Sequence, residues 1–428
     1  MSQAATDTRP EAERLEAAMS GFARDFGRRA AIYMESCIHC GHCAEACHFF
    51  LATREAKYTP IWKLEPFRQA WKRQAGPFSW LPSALHPGRK PSFEMLEEWQ
   101  ELIYDSCTMC GRCTAACPMG IDIASLVGQA RHGMFSAGLV PPDLLSAAER
   151  AEREGSPLGA TPKVLRERLE WLTDEHEVPI HLDLPRADVL VTLSSVEIMK
   201  YPLSIVAMAR VMEHCGQSWT ISSHGYEATN FGMLSGNADW QRDMTLKLVD
   251  AAIAIGAKTV VLPECGHAYS AMRWQGAEMA GRALPFRVLH ISEFLAENIG
   301  AGSLRVKAIH ASTAFHDPCQ VSRRGGATQA PRTVLAALGL ELREMEDSGE
   351  LSFCCAGGGG VIANSRADGL RHKAFEIKMR QIDATGADMA VTSCANCRLS
   401  FDDGQEHFHW DRKMGSLVEL VADHLQAA

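Results

Sequence analysis

The apolar positions of this chain change their period along its length. Between Ile121 and Phe135 they recur at helical spacing, which predicts a helix directly behind a cysteine-rich stretch. Leu144 to Leu172 is more polar and reads as a helical linker with Glu and Arg at helix-supporting spacings. From Ala187 the texture becomes short apolar runs separated by longer amphipathic segments. Asp188–Leu193, Trp219–Ser222, Lys258–Leu262, Val306–His310 and Asp388–Thr392 are predicted strands, and Tyr201–Cys215, Trp240–Ile255 and Asp368–Ile382 are predicted helices between them. That alternation predicts parallel sheets covered by helices.

An internal repeat lies in the same region. Gly256-Ala257-Lys258-Thr259-Val260-Val261 leads into Pro263-Glu264-Cys265-Gly266-His267, and Gly386-Ala387-Asp388-Met389-Ala390-Val391 leads into Ser393-Cys394-Ala395-Asn396-Cys397. Ser222-Ser223-His224-Gly225 likewise parallels Cys354-Cys355-Ala356-Gly357. Residues 187–301 and 302–428 are therefore expected to be two copies of one α/β unit.

Composition narrows the classes of function. With 428 residues and 46% hydrophobic content the chain can bury a large core, and a net charge of -9 argues against nucleic acid as a partner. No secretory signal is visible in Met1 to Arg29, and the best apolar run, Ala251 to Val261, is broken by Gly256 and Lys258, far short of the ~18 residues a bilayer requires. A soluble or peripheral cytoplasmic protein is expected. Reduced thiols at high density then read as metal ligands.

Thirteen of the 15 cysteines fall into three groups, leaving Cys215 and Cys265 apart. Cys37, Cys40, Cys43 and Cys47 have C-x2-C-x2-C-x3-C spacing, and Cys107, Cys110, Cys113 and Cys117 repeat it, followed by Pro118. Three such cysteines wrap one turn of chain around a cubane cluster, and the fourth reaches the other cluster in two-cluster modules. The expected ligand sets are therefore Cys37, Cys40, Cys43 and Cys117 for one [4Fe-4S] cluster, and Cys107, Cys110, Cys113 and Cys47 for a second. Gly41 and Gly111 are expected to let backbone amides approach the clusters. His48, in place of a proline after Cys47, reads as a residue tolerated at a helix start.

Between the motifs, Arg54 to Lys90 holds eight basic and two acidic residues interleaved with Trp62, Phe67, Trp71, Phe78 and Trp80. Two readings stand open: aromatic packing beneath the cluster domain, or a docking surface for a membrane subunit or anionic lipid.

The third group, Cys319, Cys354-Cys355 and Cys394-x2-Cys397, is of a rarer kind, since adjacent cysteines suit neighbouring irons of an extended cluster. With His316-Asp317-Pro318-Cys319 and Cys354-Cys355-Ala356-Gly357-Gly358-Gly359-Gly360, it resembles the CCG domain of heterodisulfide reductases. With the cubane motifs upstream, the arrangement from about Ile32 onward is similar to the fused HdrD type, closest in style to DsrK-like subunits of sulfur metabolism. The resemblance implies a noncubane [4Fe-4S] cluster on Cys319, Cys354, Cys355, Cys394 and Cys397 at which a disulfide is cleaved, and a membrane cytochrome b, quinone-reactive or flavoprotein partner.

The expected fold is α+β and multidomain: a helical extension at 1–31, a helical two-[4Fe-4S] ferredoxin-like domain at 32–140, a helical linker at 141–186, a degenerate CCG-like α/β domain at 187–301 and a CCG α/β domain at 302–428. In the degenerate copy the Cys-Cys positions read as Ser222 and Ser223 and the C-x2-C positions as Glu264 and His267, with Cys265 displaced by one. Only one noncubane cluster is then expected, because hydroxyls, a carboxylate and an imidazole do not replace five thiolates. Glu264, Cys265, His267 and His316 are candidates to hold or protonate a thiolate across the pseudo-symmetric cleft, with hydrogen-bonded structural roles as the alternative.

The leading expectation is an oxidoreductase subunit relaying single electrons between a membrane quinone or cytochrome partner and a thiol/disulfide substrate, either a small molecule or a sulfur-carrier protein. A second is the electron-conducting subunit of a flavin-dependent dehydrogenase of the glycolate or glycerol-3-phosphate type. No flavin or nicotinamide fingerprint is present in the sequence.

Overall fold

A computed structural model describes residues 7–25, 27–82, 85–86 and 89–426. The chain forms two compact units: Met1–Ala148 with Gly232–Ala238 and Ala356–Ile377, and Glu149–Phe231 with Asp239–Cys355 and Lys378–Ala428.

The first unit is helical. The helix Glu11–Ala23 packs on Ile123–Ser136 because Gly133 leaves room for the Phe22 ring, where a Cβ would stand 2.1 Å from a ring carbon. Phe22 in turn meets Phe67 and Trp99 edge-on, at centroid distances of 5.6 and 5.7 Å. Those three rings anchor the helices Glu65–Gln74 and Phe93–Gln100, which flank the cysteine motifs.

The second unit carries two four-stranded parallel sheets. Strands β1 (Val189–Val191), β2 (Trp219–Thr220), β3 (Thr259–Leu262) and β4 (Arg287–His290) run in the order β2-β1-β3-β4. Strands β5 (Ser312–His316), β6 (Glu341–Leu342), β7 (Met389–Thr392) and β8 (Met414–Ser416) run in the matching order β6-β5-β7-β8. Val191, Met208, Phe315, Val391 and Leu417, drawn from both copies, share one apolar core. Parallel pairing requires the helical crossovers that the alternating pattern predicts.

One expectation needs correction and another gains detail. Val306–His310 is not a strand: Val306 makes only an isolated bridge to Leu425, and the ladder begins at Ser312, whose run to His316 is fully buried. Ser-Thr-Ala-Phe-His has a weak strand signature, and only its register with β7 reveals it. The stretch Leu144 to Leu172 is two helices, Pro142–Glu154 and Pro162–His176, the second started by Thr161, whose Oγ1 accepts from Val164 N at 3.4 Å with Pro162 in the first turn.

Candidate metal centres

Cys37, Cys40, Cys43 and Cys117 line one cavity of about 300 Å³, together with Ile38, Trp62 and Met119. Cys47 joins Cys107, Cys110 and Cys113 in lining a second, tighter one. The fourth cysteine of each motif thus turns to the other motif's cavity. The same turn is built twice: His39 and Met109 each have φ 52°, and Gly41 (87°) and Gly111 (75°) cap the short helices His42–Ala46 and Arg112–Ala115. Gly41 lines the first cavity, and its left-handed backbone is one that a side chain rarely adopts.

The second cavity fits an anionic iron–sulfur group. Burial pushes the Cys107 and Cys113 thiols up, so four thiolates there need a cationic core to stabilise them. Both ring nitrogens of His48 and the Thr108 hydroxyl are buried on its lining without a hydrogen-bond partner among the described residues. Such orphaned donors are what a cluster's sulfurs would satisfy. His48 does begin the helix His48–Thr53, but it also faces the cavity, which its place in the sequence does not reveal.

The C-terminal site is enclosed. Cys319, Cys354, Cys355, Cys394 and Cys397 are 1–6% exposed, with Sγ atoms of Cys319 and Cys354 at 3.9 Å and of Cys355 and Cys397 at 3.2 Å. A ligating atom of His316 and the Cys355 and Cys397 sulfurs lie within 4.8 Å of one another. The His316 ring packs edge-on to Phe401, 5.1 Å between centroids, and neither nitrogen has a partner among the described residues. Burial holds that imidazole neutral by pushing its pKa well down. Arg332 grips both oxygens of Asp317 at 2.9 Å and Gly349 N donates to it at 2.7 Å, which fixes the loop carrying Cys319. The convergent sulfurs and the orphaned imidazole fit a cluster here as well.

One residue near this site was not anticipated. Lys378 is fully buried, donates to Gln381 at 2.9 Å and lies 3.4 Å from Ser352 Oγ and Met345 Sδ, and burial lowers its pKa to about 8. A lysine inside a helical pattern reads as solvated, so no local signal marks it.

Strand register corrects the reading of the degenerate copy. Val189 pairs with Thr259 as Thr313 pairs with Met389, so six residues further on Ser195 falls where Cys319 falls. Ser195 Oγ donates to Glu227 and lies 2.6 Å from Ser156 Oγ. Cys265 caps its helix as Cys394 does, with Tyr269 N donating to Cys265 O at 3.1 Å and Arg398 N to Cys394 O at 3.0 Å. The first C-x2-C position is therefore Cys265 and the second Ala268, not Glu264 and His267. One extra residue is absorbed in a turn where Cys265 N donates to Pro263 O at 2.6 Å.

The Cys-Cys positions move too. Ser222 and Ser223 follow β2 almost directly, and Ser223 N is tied to Asp183 at 2.7 Å. Arg131 Nη1 donates to Leu234 O at 2.7 Å and to Gly359 O at 2.6 Å, and counting back from these carbonyls pairs Thr229 and Asn230 with Cys354 and Cys355. Thr229 Oγ1 accordingly sits 3.4 Å from Cys265 Sγ. One sulfur remains where the C-terminal copy has five.

The candidate catalytic residues differ in what engages them. His316 lies with the sulfurs. Cys265 is buried beside Cys394, whose sulfur accepts from Gly266 N, and burial pushes its thiol up to about 12. The Glu264 carboxyl is occupied by Ser416 Oγ at 2.8 Å and Val418 N at 3.1 Å, and burial raises it to about 8. His267 is buried at the start of the helix Gly266–Ser270, where Ser270 Oγ donates to its carbonyl at 3.4 Å.

The basic insert divides between its two readings. Phe67 and Trp71 are buried, whereas Trp62, Phe78 and Trp80 are 53%, 54% and 76% exposed. Of its cations, Lys57 pairs with Glu101 at 2.9 Å, Arg68 pairs with Glu65 at 2.8 Å, and Lys63 is buried.

Comparison with known proteins places both cysteine-rich regions in known domain families. Residues 33–121 match the 4Fe-4S dicluster domain family and residues 313–402 the cysteine-rich CCG domain family. The chain is 26% identical over 400 residues to the HdrD component of the dihydromethanophenazine:CoB–CoM heterodisulfide reductase of Methanosarcina barkeri, covering 92% of this chain and 94% of that one. It is 24% identical to the Hdr-like menaquinol oxidoreductase iron–sulfur subunit 2 of Archaeoglobus fulgidus, over 93% of this chain and 80% of that one. It is also 26% identical to the EtfAB:quinone oxidoreductase of Syntrophomonas wolfei, over 89% of this chain and 56% of that longer one. Paired dicluster motifs, a five-cysteine CCG site and similarity along most of the chain make this a [4Fe-4S]-binding iron–sulfur protein with a dicluster domain and a CCG domain, similar to the HdrD type of heterodisulfide reductases.

Proposed function

We propose that this electron-transfer subunit carries two cubane [4Fe-4S] clusters, on Cys37, Cys40, Cys43 and Cys117 and on Cys47, Cys107, Cys110 and Cys113, and one noncubane cluster on Cys319, Cys354, Cys355, Cys394 and Cys397. It relays single electrons between a membrane quinone or cytochrome b partner and a thiol/disulfide substrate, which is a small molecule or a sulfur-carrier protein. Its place is the cytoplasmic face of a membrane, held there through the partner, since no helix among the described residues is long and apolar enough to cross one. The observation that carries the reading is the convergence of His316, Cys355 and Cys397 within 4.8 Å in a buried pocket of five cysteines.

A noncubane cluster supplies one-electron reduction to a bound sulfur. The chain's own residues exclude water from that site, and His316, with both nitrogens unpartnered among the described residues, stands where it can hydrogen-bond a thiolate. At the positions matching the five ligands, the degenerate copy offers Cys265 alone as a sulfur. Two electrons must then arrive in succession, in contrast to a site clamped between two clusters.

A second reading is favoured by the burial of all five cysteines and by the likeness to an EtfAB:quinone oxidoreductase: the C-terminal cluster only conducts, for a flavin-dependent dehydrogenase. Adding a thiol to the anaerobically purified, oxidised protein and recording its EPR spectrum separates the two. A perturbed noncubane signal is expected; an unchanged one selects the conducting role.

A further inference from the structure

A buried lysine, Lys63, lines the cavity of Cys47, Cys107, Cys110 and Cys113, and a buried arginine, Arg131, holds the Cys107 carbonyl behind it; no carboxylate among the described residues forms an ion pair with either. Lys63 is 2% exposed; its Nζ donates to the Ser106 carbonyl and lies 3.8 Å from Cys47 Sγ. Arg131 is 0% exposed and gives its N–H groups to carbonyls alone: Ile103 at 2.8 Å, Cys107 at 3.0 Å, Leu234 at 2.7 Å and Gly359 at 2.6 Å. Asp105, the nearest acid in sequence to this motif, is held by Arg366 at 2.6 Å and Asn364 at 2.7 Å. The other cavity, that of Cys37, Cys40, Cys43 and Cys117, is lined by no lysine or arginine among the described residues, and Cys40 is exposed.

A buried charge without a counter-ion is strongly unfavourable, so an anionic group is expected to face Lys63, while the carbonyls and the nearby Asp105 charge offset that of Arg131. A cluster on four thiolates is anionic, and accepting an electron adds one more negative charge. A fixed cation beside it therefore favours the reduced state. Water reaching the open cavity acts in the same direction on the other cluster, but a charge pair at an effective protein dielectric near 20 interacts roughly fourfold more strongly than in water.

We propose that Lys63, backed by Arg131, is a positioning residue for charge: it raises the reduction potential of the Cys47/Cys107/Cys110/Cys113 cluster above that of the Cys37/Cys40/Cys43/Cys117 cluster. The inner cluster collects electrons, and the open one exchanges them with the redox partner. This rests on the cluster assignment above. In each transfer a haem-type one-electron donor of the partner is oxidised by one electron and the open cluster reduced by one. That electron then moves to the inner cluster. No bond forms or breaks and no proton moves, because both cations keep their charge.

The test is EPR-monitored redox potentiometry of the anaerobically purified full chain, with dithionite as reductant. The inner signal is identified as the one altered by Cys110→Ser. Lys63→Met is expected to lower the inner midpoint tenfold or more in the reduction equilibrium, about 59 mV or more for one electron, with the open cluster unmoved. Lys63→Arg is expected to keep the wild-type value. Should Lys63→Met lose iron, Lys63→Gln keeps a donor for Ser106 O while removing the charge, and is expected to lower the midpoint equally. An unchanged inner midpoint in an iron-replete variant, or an equal fall in both clusters, overturns the proposal. A wild-type chain showing fewer than two cubane signals overturns the cluster assignment itself.

Discussion

Gly359, four residues beyond Cys355, lies directly on the backbone of Thr108, the residue after the first cysteine of the second cubane motif. A Cβ at 359 would stand 2.7 Å from the Thr108 carbonyl carbon and 2.9 Å from the Cys107 oxygen, and the backbone there has φ 64°. The glycine run of the CCG motif thus serves packing on the cubane loop within the first unit. Backbone atoms cannot yield as a flexible side chain does.

Gly359→Ala is accordingly expected to cost about 2–4 kcal/mol, from the left-handed backbone and the overpacking together. Chemical denaturation against wild type measures it. A loss below about 0.5 kcal/mol would show that this contact is not maintained.

The exchange of fourth cysteines predicts a crossed pattern of spectral effects. Cys47→Ser is expected to alter the same EPR signal as Cys113→Ser, and Cys117→Ser the same one as Cys40→Ser. If Cys47→Ser instead affects the signal that Cys40→Ser affects, each motif ligates its own cluster.

The contribution of Glu197 to stability is expected to fall as pH rises from about 4.5 to 7. Burial raises the Glu197 carboxyl from 4.5 to about 7, so the folded state holds its proton more tightly than the unfolded chain does. That contribution is complete below the unfolded value and is lost as pH rises through the folded one, ~3 kcal/mol in all. The thermal midpoint of Glu197→Gln relative to wild type is expected to rise across this window. An identical slope would remove Glu197 as its source.

Glu264 and Cys265 are expected to separate by phenotype. Glu264→Ala removes the acceptor for Ser416 Oγ and Val418 N and is expected to cost about 1–3 kcal/mol. Cys265→Ala is expected to keep wild-type iron per chain, since its sulfur stands alone among the five positions that match the C-terminal ligands. Iron analysis and thermal unfolding of both variants check this, and iron loss in Cys265→Ala would make that thiol a ligand.

The sequence by itself determined the cluster motifs and the fold class. Cysteines at i, i+3 and i+6 wrap one turn of chain around a cluster whatever surrounds them, and alternating apolar runs and helical segments lead to parallel sheets because such strands need crossovers. The tertiary structure alone decided the correspondence between the two copies. A one-residue turn at Pro263 slides the aligned letters, so Glu264 and His267 took the places that helix caps assign to Cys265 and Ala268, and unequal lengths after β2 and β6 put Ser222 and Ser223 where spacing from the carbonyls bound by Arg131 puts Thr229 and Asn230. It alone also revealed Lys63, Arg131 and Lys378 as buried. A charged residue is normally solvated, and what holds one inside is the set of carbonyls, sulfurs and anionic groups that distant segments bring around it.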